Sequence, residues 1–286
     1  MANTLRSVYK LVWHHPGLDK RQLVRLLREQ GYPDATTSEL NRVLYGYPHH
    51  FEARPGGGQL RIWFARGPAP AELAAVGTLL GLYPWQRRAL QAWSQYGSRG
   101  VIEAVTGAGK TRVALAAAYL RLATGGRVAA IVPTLALVDQ WIEQFDRHLR
   151  RYLPSIRIGR LGGGSAVSLS ACQIVVATVH SASSSLWLPD RTSGLLIADE
   201  CHHYGAPEWS WALDGQFDWR LGLTATYERD DTGVDDHVNP YFDGVCYSAD
   251  YREALADGVI ARFKIAFVGA PSPLRNGART TRALKG

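Results

Sequence analysis

The chain has 286 residues, of which 46% are hydrophobic, 20% charged and 10% aromatic, with a formal net charge of +7; this balance excludes a disordered, collagenous or coiled-coil chain and leaves room for about two domains. Its longest apolar runs, such as residues 128–138, fall far short of the ~20 residues needed to span a bilayer, and the N-terminus lacks the basic-then-apolar pattern of an export signal. Three scattered cysteines, Cys172, Cys201 and Cys246, contain no C-x-x-C pair and argue against a disulfide framework or a structural zinc, so the expectation is a cytoplasmic protein without a membrane partner.

The positive charge is concentrated at the front. Residues 1–66 carry ten Lys and Arg against five Asp and Glu, whereas residues 67–286 carry 22 against 20. A basic surplus on a small unit suits a phosphate backbone. In this unit Leu5, Val8, Tyr9, Leu11 and Val12 recur at helical spacing up to Pro16-Gly17. Asp19 is placed to cap a second helix with Leu23, Leu26 and Leu27 inward and Lys20, Arg21, Arg25 and Arg28 outward, ended by Gly31. Thr37 or Ser38 is expected to open a third helix over residues 39–45. A hairpin follows, residues 51–54 and 59–64 around Gly56-Gly57-Gly58.

Helix, helix, helix, hairpin is the order of a small α+β winged helix-turn-helix, and residues 39–45 resemble the recognition helix of winged-helix domains of the Z-nucleic-acid-binding type. The reading places this domain at residues 1–67 and points Arg42 toward nucleic acid. A protein-docking role for the same unit stays open. Residues 68–80, beginning with Pro68-Ala69-Pro70-Ala71, are small and stiff and read as a linker.

Beyond residue 80 short apolar strands alternate with helical patterns: 100–105 then 111–123, 128–132 then 135–149, then strands at 174–177, 195–198 and 220–224. This predicts an α/β fold with a parallel sheet covered on both faces. Where the first strand turns into its helix stands Thr106-Gly107-Ala108-Gly109-Lys110-Thr111. Glycines let successive amides curl toward phosphate oxygens, the helix N-terminus adds partial positive charge, Lys110 neutralises the outer phosphates and Thr111 reaches Mg²⁺. Such a cradle needs an acid opposite, and the strand 195–198 delivers Asp199 and Glu200 at its C-terminal end. Asp199 is expected to hold the metal, and Glu200 to deprotonate a water. The adjacent Cys201, His202 and His203 cannot easily converge on one ion. Gln86, about one helix upstream, can donate to and accept from an adenine edge.

Taken together these residues resemble helicase superfamily 2, in its XPB/Rad25-like and type III restriction-like (DECH-box) group. The resemblance rests on Leu82-Tyr83-Pro84-Trp85-Gln86, the Ala104–Thr111 loop, Ile131-Val132-Pro133-Thr134-Leu135 with Gln140-Trp141, Val176-Ala177-Thr178, Asp199-Glu200-Cys201-His202-His203, and Gly222-Leu223-Thr224-Ala225-Thr226 followed by residues 228–231. It implies a RecA-like ATP-binding domain over residues 81–268, with ATP and Mg²⁺ as cofactors and DNA as partner, RNA remaining possible. It implies contact of Pro133, Thr134 and Thr178 with a nucleic-acid backbone, and coupling of hydrolysis to strand engagement through His202, Thr224 and Thr226. Taken singly, each of these residues also reads as a strand-end cap.

Two departures stand out. Tyr227 occupies the position where relatives usually carry proline. The second RecA-like domain of such motors, with its arginine finger, has no counterpart in this sequence, so the resemblance implies an N-terminal half completed by further chain or by a partner in trans, with residues 269–286 as a basic tail or the start of a link. An ATP-dependent DNA helicase or translocase leads this reading; an ATP-sensing binding module with little turnover and an RNA helicase remain the alternatives.

Overall fold

The computed structural model describes residues 2–48, 50–58, 60–185, 188–189, 193–213, 217–227, 232–249 and 251–259. The N-terminal unit comprises α1 (Ala2–His14), β1 (Leu18–Asp19), α2 (Lys20–Glu29), α3 (Thr37–Gly46), β2 (Phe51–Pro55) and β3 (Arg61–Ala65), the strands pairing antiparallel in the order β1-β3-β2. Asp19 caps α2 as the sequence predicts, its Oδ1 accepting from the Arg21 and Gln22 amides at 2.7 and 3.0 Å. Helix α3 instead starts two residues early, capped by Thr36 rather than Thr37 or Ser38. Thr36 Oγ1 accepts from the Glu39 amide at 3.2 Å while the Glu39 carboxylate accepts from the Thr36 amide at 3.1 Å, and this reciprocal box satisfies two amides where a cap at Thr37 or Ser38 satisfies one.

The segment read as a linker is largely helical: α4 spans Pro70–Leu79 and buries Leu73 and Val76. Pro70 at the first turn presets φ for a helix, and Glu72 accepts from the Ala69 amide at 2.6 Å. The proline and alanine that suggested a stiff spacer are also good helix-opening residues. The junction is tied down on both sides. Trp13 donates its indole N–H to the Pro68 carbonyl at 2.9 Å, Tyr9 donates its hydroxyl to the Arg66 carbonyl at 2.7 Å, and one apolar cluster runs from Val8 in α1 through Trp63 and Leu73 to the large sheet.

That sheet belongs to the elements α5 (Pro84–Gln95), β4 (Arg99–Ala104), α6 (Lys110–Ala123), β5 (Arg127–Val132), α7 (Leu135–Leu149), β6 (Ile158–Gly162), β7 (Ser165–Ala166), β8 (Ile174–Thr178), α8 (Val179–Ser185), β9 (Gly194–Ala198), a 3-10 turn (Cys201–Gly205), α9 (Pro207–Ser210), β10 (Trp219–Thr224), α10 (Asn239–Phe242), β11 (Val245–Ala249) and α11 (Tyr251–Ala256). Its order is β11-β4-β10-β9-β5-β8-β6-β7. All pairs are parallel except β6 with the short β7. Alternate residues of each strand bury on opposite faces: Val128, Ala130 and Val132 join the cluster under α5, α6 and α7, while Ala129 and Ile131 join the cluster on the other side. This is the expected α/β fold, a sheet parallel but for β7 and covered on both faces. Strands β6, β7 and β11 were not predicted. Residues 260–268 of the expected domain, the tail 269–286 and residues 228–231 lie outside the described residues.

Strand order matters more than strand count. It sets β4, β10 and β9 side by side although about a hundred residues separate them, with Thr224 level with Glu103 and Leu221 level with Ile197, so the loops leaving their C-terminal ends share one edge. Among the described residues no helix is long and apolar enough to cross a membrane.

The far end of α6 is anchored under the sheet. Arg121, only 6% exposed, lies over the Trp219 ring at 3.9 Å and pairs with Asp218, and Asp218 also accepts from the Gly194 amide at 2.9 Å. Asp218→Ala strands a buried guanidinium; it is expected to lower the unfolding free energy by about 2–4 kcal/mol in urea denaturation, with half of that or less refuting the anchor.

Candidate nucleotide-binding site

Residues 105–109 join β4 to α6. Gly107 and Gly109 lie in the left-handed region at φ +81° and +87°, which a side chain rarely adopts, and a Cβ on Gly107 would meet nothing within 4 Å. Ala108 between them is fully buried, its amide donating to the Val105 carbonyl at 3.2 Å. Gly109 is the N-cap of α6 and supplies no capping side chain, so the opening amides of a 14-residue helix carry partial positive charge with no side chain to answer it. Thr106 is exposed, and Thr111 sits half-buried in the first turn. Lys110 folds back to donate to the Ala104 carbonyl at 2.7 Å. Burial holds its ammonium below the usual lysine range, and the nearby carboxylates of Glu200 and Asp199 act in the opposite sense.

Gln86 is placed differently from expectation. It is fully buried, its Nε2 donates to the Gly109 carbonyl at 3.0 Å and its Oε1 accepts from the Tyr83 amide at 2.9 Å. The side chain fastens α5 to the loop.

Opposite stands the acidic pair. The Asp199 amide continues the sheet ladder by donating to Ile131 at 2.9 Å, and each carboxylate oxygen receives a donor: Oδ2 from the Trp141 indole at 2.8 Å and Oδ1 from the Glu200 amide at 3.1 Å. Burial raises the Asp199 pKa above the ordinary carboxylate range; the Trp141 hydrogen bond pulls against it. Glu200 has a left-handed backbone, φ +49°, an uncommon conformation for a residue with a side chain and one that clusters at functional sites. Its Oε2 lies 3.6 Å from His202 Nδ1. His202 Nδ1 and Thr224 Oγ1 are 2.8 Å apart, and the Thr224 hydroxyl, fully buried, donates its one proton to the Thr226 carbonyl at 2.7 Å. His202 Nδ1 is therefore the donor in that pair. His202, Thr224 and Thr226 form one chain of hydrogen bonds.

Two participants had no signature in the sequence. Trp141 was grouped with a neighbouring motif but not with Asp199, 58 residues away. Glu103, at the end of β4, accepts from the Tyr227 amide at 3.1 Å and from the Ser248 hydroxyl at 3.0 Å. The first bond needs an N–H that proline lacks, so the departure at Tyr227 gives the turn after Thr226 a fastening to β4. An acid closing an otherwise apolar strand was the one available hint.

Along the same edge the hydroxyls of Thr134 and Thr178 serve as caps. Thr134 accepts from the Leu137 amide at 3.3 Å, and Thr178 accepts from the Ser181 amide at 3.4 Å. Between them sits the Gly162-Gly163-Gly164 turn: a Cβ on Gly162 would meet the Thr178 and Ser181 hydroxyls, and one on Gly163 would meet Leu135. Sequence reading did not single out these glycines. Buried Thr178 thus borders the glycine turn directly, and Leu135, which follows half-buried Pro133 and exposed Thr134, borders it from the other side. Arg42 belongs to another surface, exposed on α3 beside a groove of about 800 Å³ that Tyr32 and Glu39 also line.

Residues 79–229 match the family described as the type III restriction enzyme, res subunit. The DNA 3'-5' translocase XPB2 of Sulfurisphaera tokodaii is 35% identical over 188 residues, covering 64% of this chain and 39% of that protein. The DNA 3'-5' helicase XPB of Kineococcus radiotolerans is 32% identical over 185 residues, 63% of this chain and 32% of that protein. The chain thus spans well under half the length of these curated relatives. Among solved structures the Pyrococcus furiosus Hef helicase domain superposes with a TM-score of 0.50 at 21% identity, over 63% of this chain and 41% of that one, a likeness of fold.

An acid with a raised pKa carries a stability penalty when ionised. The penalty is fully present above the folded-state pKa and fades as pH falls toward the unfolded value, because the folded state takes up the proton first. Asp199→Asn removes the charge but leaves one acceptor for the two N–H donors, so its stability relative to the parent is expected to be higher at pH 7 than at acidic pH in metal-free denaturant titrations. A stability difference that does not change with pH contradicts the buried-charge assignment.

Proposed function

The chain belongs to the family of the type III restriction enzyme res subunit, and from that membership we propose that it is the ATP-binding part of an ATP-dependent DNA helicase or translocase. The observation that carries the reading is the open turn at Gly107, at an uncapped helix N-terminus, with Lys110 in electrostatic reach of Asp199 and Glu200. The names of the two relatives supply the substrate class.

The residues fit Mg·ATP. Exposed Thr106 and Gly107 leave room for a phosphate chain, amides at the start of α6 point where anions are favoured, and Lys110 exchanges a neutral carbonyl for a phosphate oxygen. Thr111 and Asp199 would hold Mg²⁺, which supplies neutralisation of phosphate charge. Asp199 suits this role because its two oxygens are oriented by the Trp141 and Glu200 N–H groups before any ion arrives. Glu200, held out by its left-handed backbone, takes the proton from the attacking water. The hydrogen-bonded chain from His202 through Thr224 to Thr226 ties the position of Glu200 to the end of β10. Gln86 positions the loop from behind.

Pro133, Thr134, Thr178 and the adjoining glycine turn form the edge along which this reading lays a nucleic-acid backbone, contacted without base specificity. The N-terminal unit acts as a winged-helix module presenting Arg42 to DNA. A second RecA-like domain, in further chain or in trans, supplies the arginine finger.

Calorimetry with Mg·ATP is expected to show binding that Lys110→Ala abolishes; unchanged affinity overturns the cradle. Glu200→Gln is expected to retain binding and lower DNA-stimulated hydrolysis by about 10²–10⁴-fold. Stimulation by RNA but not by DNA overturns the substrate assignment.

A further inference from the structure

Helix α5 begins without a cap of its own: the Tyr83 side chain makes no capping hydrogen bond. The missing acceptor arrives from 172 residues downstream, where Asp257 Oδ2 accepts from the Trp85 amide at 2.6 Å. Asp257 directly follows α11, and the same oxygen lies 3.2 Å from the Arg88 guanidinium, which also pairs with Glu253 at 2.7 Å. Glu253 in turn accepts from the Tyr247 hydroxyl at 2.5 Å, and Arg88 Nε lies 3.3 Å from that hydroxyl. Two carboxylates of the α11 segment and one arginine of α5 thus clamp the N-terminal turn of α5, where negative charge also complements the helix dipole.

The residue after Trp85 is Gln86, and its Nε2 donates to the Gly109 carbonyl at 3.0 Å. The fit is close: a Cβ on Gly109 would lie 2.8 Å from that nitrogen. From Gly109 to Asp257 the path therefore crosses two hydrogen bonds and adjacent residues of one buried helical turn, Trp85 and Gln86 both being fully buried. A shift of the α5 N-terminus moves the amide that holds the loop, and a change at the loop moves the turn that Asp257 caps.

We propose that Asp257, Glu253 and Arg88 are positioning residues for the nucleotide loop, and that α11 is the element through which nucleotide occupancy is read out. Coupling between two sites is reciprocal, so whatever α11 does for the loop, a ligand on the loop does for α11. The inference rests on the reading of residues 105–111 as a nucleotide cradle.

The test uses the 286-residue chain and ADP with Mg²⁺. Hydrogen exchange of the parent is expected to show slower exchange in residues 251–258 when ADP binds, and Gln86→Ala is expected to lose that protection. Asp257→Ala is expected to weaken ADP binding about 5- to 20-fold in calorimetry, with Asp257→Asn, which restores an acceptor for the Trp85 amide, recovering part of the loss. A clamp that merely holds the fold together would lower the melting temperature in Asp257→Ala and leave the affinity of the folded fraction unchanged. Should Asp257→Ala fail to fold, the half-exposed pair serves: Arg88→Met is expected to weaken ADP binding and reduce the ADP-dependent protection of residues 251–258. Parent protein that binds ADP with no change in exchange over residues 251–258, or clamp variants with parental affinity, overturns this inference alone. A parent that binds no ADP overturns the nucleotide reading and this inference together.

Discussion

The site depends on one electrostatic arrangement: the opening amides of α6, which no side chain caps, and the Lys110 ammonium lie near two carboxylates that follow a different strand. Each half is unfavourable alone. Uncapped amides lack acceptors, and a carboxylate withdrawn from water destabilises its own charge. Near one another, the ammonium and the carboxylates offset each other's charge. The sheet enforces the arrangement, since β4 is separated from β9 only by β10, and β10 carries the threonine that holds His202 beside the acidic pair.

Compensation is local and specific. The Trp141 indole is apolar enough to pack in the core beneath α7 and still brings one N–H to Asp199, so the same side chain removes water from the acid and answers part of the resulting demand for a donor. Lys110 rests on a main-chain carbonyl, an acceptor weaker than phosphate, and is held without being consumed. Glu103 does similar work on the far side of β4, joining β11 and the turn after Thr226.

Much of this was legible because it is local. A glycine-rich turn between an apolar strand and a helix, and an acidic pair closing another strand, announce themselves within ten residues, and both were found where expected. Three kinds of feature stand out among those that escaped. Pairings such as Trp141 with Asp199, Tyr227 with Glu103 and Trp85 with Asp257 join residues 58, 124 and 172 positions apart, and no periodicity encodes them. Strands of two residues, β1 and β7, are too short to have a period. Residues 70–79 were ambiguous in composition, because proline and alanine serve a spacer and a helix start equally; the burial of Leu73 and Val76 decided between them. Gln86 shows a subtler limit, since an amide suited to a base edge is equally suited to main chain.

The welded junction near Pro68 has a mechanical meaning. A spacer would let the first 67 residues swing freely; with Trp13 and Ser94 both donating to the Pro68 carbonyl, the two units share one stiff joint, and a displacement of one is carried into the other without backlash. Severing the chain there would also take from the Trp13 indole, 5% exposed in the intact chain, the carbonyl that accepts its N–H.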